Sequence, residues 1–217
     1  MKIVILFILI LNCLLVQAQE KDVIYYNEIH QNIDKKEFLK YKNTLEYFDI
    51  YFENDSIITG LLVRKKNLGK LNKQVFYQLK KNLNLEENYK KDLIVIIYYP
   101  GRDNCNEKDT KSGWNVFDRD YLKNLNKIGS NSNHWIYKTD EDLKYYHPKK
   151  VDWRKDKNQL IEKTFFKYHY PCFSFVVIDN QGNYISSFGE FGKHKVWDIS
   201  SELANKQKLQ PTSVKRK

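Results

Sequence analysis

Two cysteines, Cys105 and Cys172, are the side chains of this 217-residue chain best suited to chemistry. A thiolate is both a nucleophile and a metal ligand, and its reactivity follows its pKa. Cys105 ends the stretch Ile97-Tyr98-Tyr99-Pro100-Gly101-Arg102-Asp103-Asn104-Cys105, where an apolar run passes into a loop ahead of a helix-forming segment. A cysteine at a helix N-terminus meets the positive end of the helix dipole, which lowers its pKa. Arg102 and Lys108 would act in the same direction. The residues from Asn106 to Gly113 separate Cys105 from the helical pattern, and as a loop they would weaken that effect. Cys172 sits in Tyr170-Pro171-Cys172-Phe173, at the start of a second apolar run. It either shares a groove with Cys105 or points into the core as a small hydrophobe. A bridge between the two would span a separation of 67 residues. Loop closure of that size is worth about 4 kcal/mol in the chain-entropy picture.

Other chemistry is sparse. His134, His147, His169 and His194 lack the i, i+4 spacing of a two-histidine metal site. His169, three residues before Cys172, leaves Cys105/His169/Cys172 as the one conceivable metal set, and no metal is assigned. Walker, dinucleotide and Gly-x-Ser-x-Gly motifs are missing from the sequence, so no cofactor is expected. Gly189 and Gly192 flank Glu190-Phe191 and read as a strand end and a turn. Aromatic residues cluster between Tyr145 and Tyr170, as the lining of a peptide groove or as core.

The start of the chain carries an address. Lys2, the apolar run Ile3–Leu11 extended by Leu14–Val16, and Val16 and Ala18 at the −3 and −1 positions form the three parts of a secretory signal. Residues 1–18 are therefore expected to be removed, leaving Gln19 first and the mature chain periplasmic or secreted. The apolar stretch is shorter than the ~20 residues of a spanning helix, so no membrane span is expected in the mature chain. Cys13 lacks the preceding small residue of a lipoprotein site, since Asn12 stands there. With Cys13 removed, Cys105 and Cys172 are the two cysteines that meet an oxidising compartment, where they can pair. The net charge of +10 comes from 37 basic residues, of which 32 are Lys and 5 are Arg. Arg is the usual reader of phosphates and bases, so this balance argues against nucleic acid and for a solvated basic surface.

The elements that must position the cysteines can be read from periodicity. Tyr47–Phe52 and Ile57–Val63 predict a hairpin across Glu53–Ser56, and Leu71, Val75, Phe76, Leu79 and Leu83 predict a helix. Residues 19–91 then form an N-terminal extension of hairpin plus helix. From Asp92 the reading is strand 93–99, helix from Trp114 to Ile128, strand 134–137, helix around 160–165, strand 173–178, turn 179–182, strand 183–188 and a closing helix through Val196, Ile199 and Leu203. The all-apolar run 93–99 suits a strand covered on both faces. Residues 92–206 form this α/β domain, and 207–217, with Lys215-Arg216-Lys217, a flexible basic tail.

From about Asp92 to Ala204, this order and two motifs resemble the thioredoxin-like superfamily. One motif is Tyr170-Pro171-Cys172-Phe173-Ser174-Phe175-Val176-Val177-Ile178-Asp179-Asn180-Gln181-Gly182, similar to the family segment in which a cis-proline opens a central strand. The other is the strand and loop ending at Cys105. The resemblance implies a thioredoxin-like mixed central sheet with flanking helices. It implies a cis Pro171 shaping the substrate groove, Cys105 as nucleophile, Arg102 stabilising its thiolate and Cys172 as resolving thiol. The sequence departs from the family at the active site. Arg102 and Lys108 stand three residues either side of Cys105, so Cys-x-x-Cys is absent, as is the Thr that peroxiredoxins place before their cysteine. Two functions follow. One is an exported thiol-dependent oxidoreductase or peroxidase with a protein thiol, disulfide or peptide as partner. The other is a redox-inactive binding or interaction protein of the cell envelope on a degenerate thioredoxin-like fold.

Overall fold

The computed structural model describes residues 21–42, 44–85, 90–107 and 110–209. The expected signal peptide, Lys108 and the tail beyond Leu209 lie outside the described residues. The chain divides into two units, one ending at Arg64 and the other beginning at Lys65.

Among its described residues, the first unit is a four-stranded sheet with one helix. β1 (Asp22–Tyr26), β2 (Asn32–Ile33), β3 (Tyr47–Glu53) and β4 (Ile57–Arg64) lie in the order β2-β1-β4-β3, with β1 and β4 parallel. The expected hairpin is present: Tyr47 pairs with Arg64 and Glu53 with Ile58. Its turn is held by Asn54, whose side-chain oxygen accepts from the N–H of Ser56 and Ile57 at 3.0 and 2.8 Å. α1 (Lys35–Tyr41) is capped by Asp34, which accepts from Glu37 N–H at 2.8 Å. Phe38 of this helix is fully buried against the rings of Tyr25 and Tyr51. Gly60 makes the close approach possible, since a Cβ there would lie 2.9 Å from Tyr25 and 3.1 Å from Phe38.

The second unit is an α/β layer structure on a six-stranded mixed sheet. β5 (Lys66–Lys70), β6 (Leu93–Tyr99), β7 (Asn131–Tyr137), β8 (Trp153–Lys155), β9 (Ser174–Asp179) and β10 (Asn183–Ser187) lie in the order β5-β10-β9-β6-β7-β8. β6, β7 and β8 run parallel, while β9 is antiparallel to both β6 and β10. The helices are α2 (Lys73–Asn82), α3 (Asp120–Ile128), α4 (Leu160–Phe165) and α5 (Lys193–Leu209). β5 was not expected; its pairing with β10 places it and the following α2 in this unit, so the division falls after Arg64 and not near Lys91.

All seven residues of β6 are buried, as its unbroken apolar run predicts. Leu93, Val95, Ile97 and Tyr99 enter the cluster that holds Tyr121 and Leu125 of α3 and Val196, Ile199 and Leu203 of α5. Tyr98, on the alternate face, stacks on Phe166 at 4.6 Å between ring centres. The β9–β10 turn is tied by buried Asp179, which accepts from the N–H of Gln181 and Asn183, both at 2.8 Å, while Gly182 takes φ +81°. The helix expected from Trp114 is shorter: a 3-10 turn at Asn115–Phe117 precedes α3. α5 continues through Leu209, into the stretch expected as tail. Among the described residues, no helix is long and apolar enough to cross a membrane.

Candidate functional site

The site forms where the loop after β6 meets the segment before β9. Cys105 and Cys172 are joined by a disulfide, with their Cα atoms 5.0 Å apart, inside the normal range for such bonds. Both fates weighed for Cys172 are realised: it pairs with Cys105 at the groove, and it belongs to the buried hydrophobic cluster. Cys172 is buried, at 6% exposure, whereas Cys105 is exposed. The bond therefore joins an exposed residue to a buried one.

Asp103 organises both cysteines. One of its carboxylate oxygens accepts from the N–H of Cys105 and Asn106, at 2.8 and 2.9 Å. The other accepts from the N–H of Cys172 at 3.0 Å and from His169 Nε2 at 3.1 Å. Burial alone would raise this carboxyl's pKa. The hydrogen bonds from His169, Asn106, Cys105 and Cys172 outweigh it and hold the group below its ordinary value. Asn106, almost fully buried, completes the clamp: its Nδ2 donates to the carbonyls of Gly101 and Cys172 at 2.7 and 3.0 Å. Tyr146 donates its hydroxyl to the Asn106 carbonyl at 2.5 Å. Burial, with Asp103 and Asp142 nearby, pushes the Tyr146 phenol up to about 12, which keeps that donor protonated.

Pro171 departs from the expectation carried by the resemblance. No described peptide bond is cis, so the bond before Pro171 is trans. The chain reverses one residue later, at Cys172, whose φ is +68°. That left-handed conformation is uncommon for a residue with a Cβ. Here it is held by the Asp103 hydrogen bond and the disulfide. Pro171 itself is exposed.

Cys105 is not at a helix N-terminus. It lies in a turn, and α3 begins only at Asp120. Arg102 is drawn to carboxylates: it pairs with Glu107, with Asp142 at 3.4 Å and with Glu141 at 3.8 Å. His169 engages Asp103. The third group beside the sulfurs is instead Glu190, with a carboxylate oxygen within 4.8 Å of both. Sequence reasoning read Gly189-Glu190-Phe191-Gly192 only as a turn. Gly189, at φ +76°, lets the chain leave β10, and Asn115 caps the return by accepting from Lys193 N–H at 2.8 Å.

The disulfide borders a groove of about 410 Å³. Its walls are the segment Thr110–Trp114 and the pair Glu190-Phe191, with Tyr146 and Phe173 between them. Trp114 packs on Phe173 at 4.5 Å and on Phe191 at 4.9 Å, and donates its indole N–H to the Phe191 carbonyl. Lys111 and Glu190 bring both charge signs to the rim. Of the aromatic residues expected to line a groove, Tyr146 does so; Phe166 and Tyr170 stack with Tyr98 and Phe188 in a separate aromatic layer. His134 is buried beside Arg154, and burial followed by the Arg154 charge pushes its pKa down to about 4, so it stays neutral. Scans of protein-family models, curated proteins and solved structures found no match to this chain.

Proposed function

We propose that the protein is a thioredoxin-like thiol–disulfide exchange protein that acts on polypeptide thiols outside the cytoplasm. One observation carries this reading: the Asp103 carboxylate holds the backbone N–H of both cysteines. The clamp keeps the pair in register after the sulfurs separate, so the bond can open and close without refolding the loop. A thiolate of the partner attacks the sulfur of the exposed Cys105. The Cys105–Cys172 bond breaks and Cys172 leaves as a thiolate that takes up a proton. A second partner thiol then attacks the mixed disulfide. The partner leaves with a disulfide, having given up two electrons and two protons, and both cysteines become thiols.

The sheet order supports the thioredoxin-like part. The run β6-α3-β7-β8-α4-β9-β10-α5 carries the strand order β10-β9-β6-β7-β8, in which β8 adds an outer parallel strand and β9 is antiparallel to its neighbours. A disulfide that persists suits an oxidising compartment, in keeping with export directed by residues 1–18. The groove beside the sulfur, aromatic within and charged at its rim, suits an extended peptide.

A second reading, a redox-inactive binding protein with a structural bridge, is favoured by the carboxylates of Asp103 and Glu190, because nearby negative charge disfavours a thiolate. Titration in a dithiol redox buffer, with alkylation and mass measurement, decides between them. Exchange predicts reversible opening with the folded circular dichroism signal intact, and alkylation at Cys105 ahead of Cys172. Opening that occurs only together with unfolding overturns the exchange reading.

A further inference from the structure

We propose that the reduced form binds zinc through Cys105, Cys172 and Glu190. The inference rests on the exchange reading, because the thiolates exist only once the disulfide has opened. In the oxidised form the two sulfurs are bonded to each other, and Glu190 alone offers a ligand.

The geometry is close to what zinc requires. The two Sγ atoms and a Glu190 carboxylate oxygen all lie within 4.8 Å of one another. Zn–S distances of about 2.3 Å and Zn–O distances of about 2.0–2.2 Å set tetrahedral ligand atoms roughly 3.5–3.8 Å apart. The two sulfurs, bonded in the oxidised form, would have to separate to about that distance while the Glu190 oxygen closes on them, and Cα atoms 5.0 Å apart leave room for this by side-chain rotation. Cys105 and Glu190 are exposed and can rotate, while Cys172 is the fixed member. The Asp103 clamp keeps both cysteine backbones in place during the change. Asp103 is not a competing ligand, since both its oxygens already accept backbone N–H groups.

Electrostatics points the same way. Opening the bond and deprotonating both thiols would crowd three anionic groups together, which is unfavourable without a cation. A divalent ion relieves that repulsion. Two thiolates select a thiophilic metal, and the carboxylate oxygen favours borderline Zn²⁺ over monovalent copper. Three protein ligands would leave the fourth tetrahedral position open. Reduction by an external dithiol delivers two electrons and two protons to the sulfurs. Zinc then displaces those two protons into solvent. Because the metal binds only the dithiol, it draws the redox equilibrium toward the reduced form.

The test uses the full-length mature chain, reduced with a water-soluble phosphine and then freed of it. Zinc affinity is read by competition with a chromogenic chelator at neutral pH, and cobalt substitution reports thiolate-to-metal charge transfer. The expected result is one zinc per reduced chain and none per oxidised chain. Glu190→Gln should weaken binding by about tenfold or more while keeping the charge-transfer band, and Cys105→Ser should lose the band. If the reduced wild type binds no tighter than Cys105→Ser, the site does not exist. If Glu190→Gln binds as tightly as wild type, the three-ligand assignment is overturned. A chain that exchanges its disulfide but takes up no zinc loses this inference alone. A chain whose bond opens only on unfolding loses the exchange reading as well.

Discussion

Between Asp22 and Arg64, Phe38 and Tyr41 join a helix to a four-stranded sheet, Phe38 on Tyr25 and Tyr51 and Tyr41 on Tyr47, and Ile29 and Leu45 remain 65% and 96% exposed. Beyond Lys65, a continuous cluster from Leu93 to Leu203 packs both helices and strands, and the cysteine clamp is set into its rim. The contrast is one of reserve. The smaller, β-rich unit has Phe38, Leu61, Leu62 and Val63 as its buried apolar side chains among the described residues, a short list to set against its ordering entropy. The larger unit buries enough to hold a left-handed Cys172 and a half-buried carboxylate in place.

The sharpest way to break this comparison is Phe38→Ala. Loss of a fully buried phenyl ring costs about 3–5 kcal/mol. Phe38 is the fully buried ring among the described residues of the first unit, so that unit should lose hydrogen-exchange protection across β3 and β4. The second unit should keep its protection, and the disulfide its resistance to alkylation. Equal loss across both units would show that their stabilities are not separate.

The next effect in size lies at the clamp. Asp103→Ala leaves the N–H groups of Cys105 and Cys172 without their side-chain acceptor, the Cys172 group part-buried. A buried donor stranded outright costs about 1–3 kcal/mol, and the lower end applies to a part-buried one. We expect a lower melting temperature and, once reduced, slower reclosure of the disulfide in air-free redox buffer. Unchanged reclosure would mean that the clamp does not hold the cysteines in register, and would remove the main support for exchange.

Acid should produce a smaller change of defined sign. The Asp103 carboxyl sits below its ordinary 3.8 in the folded chain, so the unfolded chain binds that proton first as pH falls. Its contribution is fully present above 3.8 and is lost as pH drops through the depressed folded value. The stability difference between wild type and Asp103→Asn, measured by denaturant melts from pH 6 to pH 2, should therefore shrink only below 3.8. A difference that narrows already between pH 6 and 5 would point to another group.

What could be read from the sequence follows from how local each cause is. β6 is legible because Leu93–Tyr99 is apolar at every position, and the β3–β4 hairpin because Asn54-Asp55-Ser56 is a turn by composition. β5 is not legible: Lys66-Asn67-Leu68-Gly69-Lys70 is polar and carries a glycine, as suits an edge strand that pairs, among the described residues, with β10 alone. The cysteines stand out by type alone, but their pairing depends on a φ of +68° at Cys172 that no local rule favours. Asp103 and Glu190 were missed for the same reason, since each acts on a residue far along the chain. Their local signals were present: an Asp two residues before Cys105, in position for an Asx turn, and a Glu in a short Gly-flanked loop.

The smallest expected effect tests whether the clamp or the proline shapes the site. Pro171 is exposed, and it precedes the residue at which the chain reverses. Its replacement by alanine adds freedom mainly to the unfolded chain, at a cost of about 0.4–1 kcal/mol. Cys172 N–H still reaches Asp103 in that variant, and Cys105 still faces solvent. The midpoint of the redox titration and the alkylation rate of Cys105 should therefore match wild type within error, while Asp103→Ala changes both. A Pro171→Ala chain with a shifted midpoint but an unchanged melt would return the shaping role to the proline. It would also mean that the backbone bonds to Asp103 follow the loop's geometry and do not set it.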